Sequence, residues 1–212
     1  MSTARQHNQA GRVLGQLSSE RLREASEVLA RAFVDNPATL ALVPYPSSRR
    51  LRVLERVMRG FTRATLIDGD AIAVIDGGRV AGVSLAFGPR RYPLGMRARA
   101  WQAYGPIAAG PRTALSYAIA DQYLAKLHFT DPHWYLFVLG VEPELQGRGI
   151  GGRLLRWLGE RAGEDGVPCY LETDKASSVR LYERHGFRVL VEETHARTGI
   201  HFWTMLRSVS AA

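Results

Sequence analysis

Eight consecutive residues, Trp134 to Val141 (WYLFVLGV), form an unbroken apolar run between Pro132 and Pro143. Proline lacks a backbone donor and disfavours helix in the residue before it. The bracketed run is therefore too short for a helix. It also lacks the in-out alternation of a half-exposed strand, so it reads as a central strand covered on both faces. A glycine-rich turn follows directly, and beyond it Ile150, Leu154, Leu155 and Leu158 recur at helical spacing.

The rest of the chain arranges itself around that strand. Arg12–Leu17 alternates like a first strand. Ser18 or Ser19 can cap a helix whose apolar face is Leu22, Ala25, Leu29, Ala32 and Phe33. Asp35-Asn36-Pro37 ends that helix, and a second begins near Pro46-Ser47, with Leu51, Leu54, Met58 and Phe61 on one face. Ala71–Ile75 and Val80–Phe87 read as strands joined at Asp76-Gly77-Gly78, a hairpin signal. Arg97–Phe129 is mainly helical, interrupted at Gly105-Pro106 and Gly110-Pro111. Its aromatic residues Trp101, Tyr104, Tyr117 and Tyr123 either pack helices together or line a pocket. After the glycine turn come a strand over Pro168–Thr173 and a short helix over Ser177–His185 stopped by Gly186. Strands over Phe187–Val191 and Phe202–Leu206 close the chain. The order predicts one α/β domain over residues 1–212, not a repetitive parallel wind.

Composition narrows the function classes. A hydrophobic fraction of 46% with 23% charged residues is that of a globular protein. No apolar stretch is long enough to span a membrane, and Met1–Gln16 is too polar and mixed for a signal peptide. Cys169 is the single cysteine, which rules out an intramolecular disulfide and suits a reducing, cytoplasmic setting. The net charge of +8 is carried almost wholly by arginines scattered along the chain, so no nucleic-acid-binding block stands out. A basic surface does suit an anionic cosubstrate. No group of residues has metal-ligand spacing, so no metal is expected.

The chemistry concentrates in the turn Val141-Glu142-Pro143-Glu144-Leu145-Gln146-Gly147-Arg148-Gly149-Ile150-Gly151-Gly152. Four glycines among six residues at a helix start let the backbone approach an anion and aim several N–H groups at it. Arg148 and Arg153 stand ready to add charge. The ligand is then a pyrophosphate, and two kinds fit. Gly147, Gly149 and Gly152 satisfy G-x-G-x-x-G, with Glu172 at the end of the next strand, as in dinucleotide-binding folds. Against that reading, only 40 residues follow Glu172, too few for the remaining strand–helix units.

The other kind is acyl-CoA. Val141–Gly151 has every fixed position of V-x-P-x-x-Q-G-x-G-x-G, and Tyr182-Glu183-Arg184-His185-Gly186-Phe187 fits Y-E-x-x-G-F. Together these resemble the acyl-CoA-binding core of the GCN5-related N-acetyltransferase (GNAT) family, here covering about residues 134–190. Phe33-Val34-Asp35-Asn36-Pro37 is similar to the N-terminal part of one branch. Trp134-Tyr135-Leu136, Leu139-Gly140-Val141 and Leu171-Glu172-Thr173 are similar to the puromycin N-acetyltransferase subgroup.

The resemblance implies a mixed, mostly antiparallel sheet flanked by helices, with a splayed pair of central parallel strands. It implies acetyl-CoA as cosubstrate and transfer of its acetyl group to a primary amine, expected to be that of a small molecule, in a monomer or homodimer. The alternative is a non-catalytic acyl-CoA sensor of the same fold. Leu139, Gly140 and Val141 would pair with the pantetheine arm, Gly140 would permit the bulge that parts the strands, and Val141 N–H would face the thioester carbonyl. Gln146, Gly147, Arg148, Gly149, Ile150, Gly151 and Gly152 would hold the pyrophosphate. Ser177 and Ser178 stand where the family often has an asparagine. Tyr182 would protonate the departing thiolate. Glu172, or secondly Glu142, would act as general base. His128 and His133 flank the strand entry, either facing an acceptor or serving structure.

Overall fold

In a computed structural model of the chain, which describes residues 11–209, seven strands form one sheet in the order β1-β2-β3-β4-β5-β7-β6. The strands are β1 (Arg12–Gln16), β2 (Asp70–Asp76), β3 (Arg79–Phe87), β4 (Trp134–Val141), β5 (Cys169–Thr173), β6 (Arg188–Thr194) and β7 (His201–Arg207). Every neighbouring pair is antiparallel except β4 with β5. The mixed α/β sheet expected from the family resemblance is present. Met1–Ala10, where the leader reading partly falls, lie outside the described residues.

Helices cover both faces. On one lie α1 (Leu22–Phe33), α2 (Pro37–Leu42), α3 (Ser47–Asp68), α4 (Met96–Ala108) and α5 (Pro111–Leu127); on the other lie α6 (Ile150–Asp165) and α7 (Ala176–Glu183). Leu29, Leu54, Ala73, Val83 and Leu85 fill the first layer, and Leu155, Leu158, Leu171, Phe187 and Met205 the second. β4 is apolar throughout because both of its faces meet these layers.

Several local readings change. Ser18 and Ser19 make no capping bond; a short 3-10 turn over Ser19–Arg21 leads into α1. α1 ends at Phe33, just before Asp35-Asn36-Pro37 as expected, but Pro37 also opens a further short helix, α2, since proline fits the first helical position where no donor is needed. Gly105-Pro106 does not interrupt α4. A Cβ on Gly105 would stand 2.5 Å from the Val57 Cα, and one on Gly60 would stand 2.4 Å from the Trp101 carbonyl oxygen. These glycines mark a close crossing of α3 and α4. The hairpin turn forms as expected, with Gly77 and Gly78 both at positive φ.

The bulge is not at Gly140. Opposite β3 the register slips between Val138 and Leu136, so Phe137 is the extra residue, and Gly140 pairs regularly with Val83. Leu136 and Leu139 accordingly face the α6 layer, while Phe137 and Val138 both face the α1–α3 layer. Gly140 has a packing role instead. A Cβ there would meet Leu29 Cδ2 at 2.8 Å, Ala32 Cβ at 3.1 Å and Phe33 Cε2 at 3.3 Å, so its missing side chain lets α1 lie against β4.

Candidate active site

β4 and β5 pair only from Trp134–Leu136 to Cys169–Leu171. Past that point β4 keeps β3 and β5 keeps β7, and the two strands part. A cavity of about 560 Å³ fills the gap. Glu142 N–H donates to the Ala81 carbonyl on β3, so by antiparallel alternation the amides of Leu139 and Val141 face away from β3, into the gap. This leaves a strand edge ready to pair with an extended ligand.

The glycine turn closes one end of the cavity. Gly147 and Gly149 adopt left-handed φ values of 74° and 80°, and Gly149 opens α6 without a side-chain cap. The first α6 bond within the turn is Arg153 N–H to the Gly149 carbonyl, so the N–H groups of Ile150, Gly151 and Gly152 have no helical acceptor. Gln146, Gly147, Gly149, Ile150, Gly151 and Gly152 all line the cavity. Gln146 also has a structural task, its side-chain amide donating to the Val141 carbonyl at 3.1 Å and holding the turn against the end of β4.

Arg148 does not join them. It is exposed, it lies outside the lining, and its carbonyl accepts a bond from Arg12. Arg153 is likewise engaged, donating to the Arg12 carbonyl at 2.7 Å. The cations at the cavity are Lys175, Arg156 and Arg184, with His185 beside them. Sequence reasoning passed over these. Arg156 sits one helical turn after Gly152, and that spacing was the available signal; Arg184 and His185 occupy the variable places of the second motif.

Leu139, Gly140, Val141, Ser177 and Ser178 line the cavity, as do Tyr182 and Glu172. Tyr182 is buried and its ring packs edge-on to Phe187. Burial, with a smaller push from Asp174, raises its phenol above the ordinary value, so it holds its proton at neutral pH. Asp174 caps the wall by accepting the Ala38 N–H at 2.6 Å, which ties the start of α2 to the end of β5.

Glu172 is nine-tenths buried on the α3–α5 side of β5, its Oε1 3.5 Å from His128 Nδ1. That oxygen has no hydrogen-bond partner, and among the described residues no arginine or lysine pairs with the carboxylate. Glu142, the second base candidate, is held differently. Arg31 on α1 grips it with two nitrogens at 2.7 and 2.8 Å, so it serves as a tie between α1 and the end of β4.

The aromatics of α4 and α5 do not line the cavity. Tyr117 packs on Phe61, Tyr123 on His195 and Phe202, and Trp101 on Tyr104. Among the described residues no group has a metal-binding arrangement, and no helix is long and apolar enough to cross a membrane.

Residues 73–187 match the Acetyltransferase (GNAT) family. A mycothiol acetyltransferase of Brachybacterium faecium is 37% identical over 71 residues, 32% of this chain but 22% of that protein. The chain thus spans about a fifth of that relative's length. An uncharacterised N-acetyltransferase of Schizosaccharomyces pombe is 26% identical over 180 residues, 78% of this chain and 70% of its own. Among solved structures, one described as histone acetyltransferase HPA2 and related acetyltransferase, from Corynebacterium glutamicum, superposes with a TM-score of 0.70 at 22% identity, covering 95% of this chain and 98% of its own. Arylalkylamine N-acetyltransferase 2 from Aedes aegypti gives a TM-score of 0.65 at 16% identity, covering 94% and 99%. With the family match extending over more than half of its length, the chain belongs to the GNAT acetyltransferase family.

Proposed function

We propose that this chain transfers an acetyl group from acetyl-CoA to the primary amine of a small molecule, by direct attack with both substrates bound. The observation that carries the reading is the parting of β4 from β5 beside an uncapped α6 N-terminus. An open strand edge suits the amide-bearing pantetheine arm, and three free N–H groups at a helix start suit its pyrophosphate. Arg156 and Arg184 extend positive charge along the same wall. Acetyl-CoA supplies an activated acyl group with a good leaving thiolate, and the chain's residues orient it and manage protons.

Leu136 pairs with Leu171, so Glu172 stands level with Phe137. At about 3.3 Å per residue, Leu139 lies roughly 7 Å along the strand from that level and Val141 roughly 13 Å. Leu139 N–H is therefore the better donor to the carbonyl oxygen that gains charge during attack near Glu172, with Val141 N–H holding the arm further out. Glu172 takes the proton of the amine, directly or through water. Tyr182, protonated across the gap, serves the departing thiolate. The similarity to puromycin N-acetyltransferase favours a small-molecule acceptor, as does the α1–α2 connection, whose Phe33 and Asn36 wall the cavity.

Thermal unfolding with acetyl-CoA, and with NADPH in parallel, tests the cosubstrate. A ligand at 100 times its Kd adds about 2.7 kcal/mol to the folded state, which raises the midpoint by roughly 5–11 °C for a chain of this size. An amine screen with thiol-release detection follows. A shift with NADPH alone, or acetyl-CoA binding without thiol release to any amine, would overturn the reading.

A further inference from the structure

Glu172 belongs to a buried polar cluster on the α3–α5 face of the sheet whose two histidines have no part in the mechanism above. Three buried side-chain atoms there have no hydrogen-bond partner: Glu172 Oε1, His128 Nε2 and His133 Nε2. Buried polar atoms are rarely left unpaired, so three together require an explanation. Packing does not provide one, because a buried polar atom left unsatisfied bears the cost of its lost hydration.

The cluster lies between two cavities. Glu172 lines the cavity between β4 and β5. His128 and His133 line a second cavity of about 540 Å³, together with Tyr92, Phe129 and Asp131. His128 joins the two residues, its Nδ1 3.5 Å from the Glu172 carboxylate and its ring 5.0 Å from that of His133. We propose that His128 and His133 form a proton relay, carrying the amine's proton from Glu172 to solvent in the second cavity. This rests on the acetyl-transfer reading and deepens it, by giving Glu172 a route for discharging its proton on the face away from the cosubstrate.

Hydrogen-bond chemistry sets the direction. His133 Nδ1 lies 2.6 Å from the Asp131 carbonyl oxygen, which can only accept. The ring proton is therefore on Nδ1, and Nε2 carries the lone pair. Burial lowers the His133 pKa and favours this neutral form. Once Glu172 has taken the amine's proton its carboxyl becomes a donor, and a His128 ring that receives that bond through its Nδ1 lone pair carries its proton on Nε2. The two orphaned nitrogens are then a donor and an acceptor, matched for one bridging water.

Each turnover moves one proton. The ammonium of the acceptor loses it to the Glu172 carboxylate, freeing the lone pair that attacks the thioester. Glu172 passes it to His128 Nδ1, and His128 Nε2 releases its own proton toward the water and His133. The His128 ring then carries its proton on Nδ1, facing the ionised Glu172, and exchange with cavity water returns the Nε2 tautomer when Glu172 is next protonated. The 3.5 Å gap is long for a hydrogen bond, as such contacts often are before substrates bind.

The surrounding groups do not divert the proton. Tyr92, Tyr135 and Tyr170 pack around His128 with ring centroids at 4.5, 4.7 and 5.0 Å. Burial, reinforced by nearby carboxylates that include Glu172, raises all three phenols, so they stay protonated and cannot accept. Asp121, its carboxyl raised by burial, and Arg99 opposite it contribute at longer range.

The test is chemical rescue. In His128→Ala the deleted ring leaves space continuous with the second cavity, and exogenous imidazole is the probe. With the amine selected by the screen, under single-turnover conditions, the relay predicts a fall in rate of about tenfold or more. KM for that amine and the thermal shift with acetyl-CoA should stay near wild type. Imidazole should restore at least half of the lost rate, in proportion to its free-base fraction. His128→Gln, which keeps bulk and a polar contact but cannot carry a proton, should fold normally and be as slow. Rescue insensitive to imidazole, full activity in His128→Gln, or a loss confined to the amine KM would each overturn the relay. The last would make His128 an acceptor contact. If the wild type acetylates no amine, the functional reading falls and the relay falls with it.

Discussion

Gly140→Ala tests how closely α1 is held to the strand that lines the cavity. The new Cβ would meet Leu29 Cδ2 at 2.8 Å, Ala32 Cβ at 3.1 Å and Phe33 Cε2 at 3.3 Å, against about 3.5–4.0 Å for comfortable carbon contacts. Leu29 Cδ2 ends a rotatable side chain and can swing aside. Ala32 Cβ is fixed to the helix backbone, so α1 itself has to retreat by several tenths of an ångström. That movement disturbs a layer in which Leu29, Leu54 and Val83 have no exposed surface. Overpacking of this kind costs about 1–3 kcal/mol, which lowers the melting midpoint by roughly 2–12 °C in a chain of this size. Circular dichroism with heat and with urea measures it. Gly163→Ala is the matched control. Gly163 lies in α6 with nothing within 4 Å of the place its new methyl group would take, so the same change should leave stability equal or raise it by up to about 1 kcal/mol through helix propensity. Wild-type stability in Gly140→Ala, with the control behaving as described, would refute the close packing of α1 on β4.

Tyr182→Phe should leave acetyl-CoA binding intact and lower kcat by about 10²-fold or more, the low end for loss of a general acid; single-turnover thiol release measures it, and near-wild-type chemistry would remove Tyr182 from the mechanism. Alkaline stability follows from the buried phenols and thiol. Burial raises Tyr92 from 10.0 to about 12 and Cys169 from 9.0 to about 12, so between those values the folded state holds protons that the unfolded state has released. Stability from these groups is full below about pH 9 and is lost as pH climbs toward 12. The urea midpoint should fall between about pH 8.5 and about pH 10.5, and a flat profile would contradict the burial of these groups.

The two motifs were legible because each is local. A glycine turn at a helix start, a strand between prolines and a helix ended by Gly186 are all decided by neighbours a few residues apart, and their boundaries lie within a residue or two of those expected. Pro37 marked the end of α1 but hid α2, because one residue type both stops and starts helices and whether a helix follows depends on what the next segment packs against. Gly105-Pro106 misled for a related reason. A glycine read as a break is a contact point with a helix some 45 residues earlier in the chain, at Val57 and Gly60.

The sequence alone thus determined the family-level fold, the glycine turn that opens α6 and the strand that ends beside it, since spacing and backbone chemistry specify those over short range. Tertiary structure alone decided that the bulge falls at Phe137, that Gly140 makes room for α1, that Arg31 occupies Glu142, and that Glu172 meets His128 from across the sheet layer. Each of those depends on which side chains arrive opposite one another from distant parts of the chain, and periodicity holds no record of that.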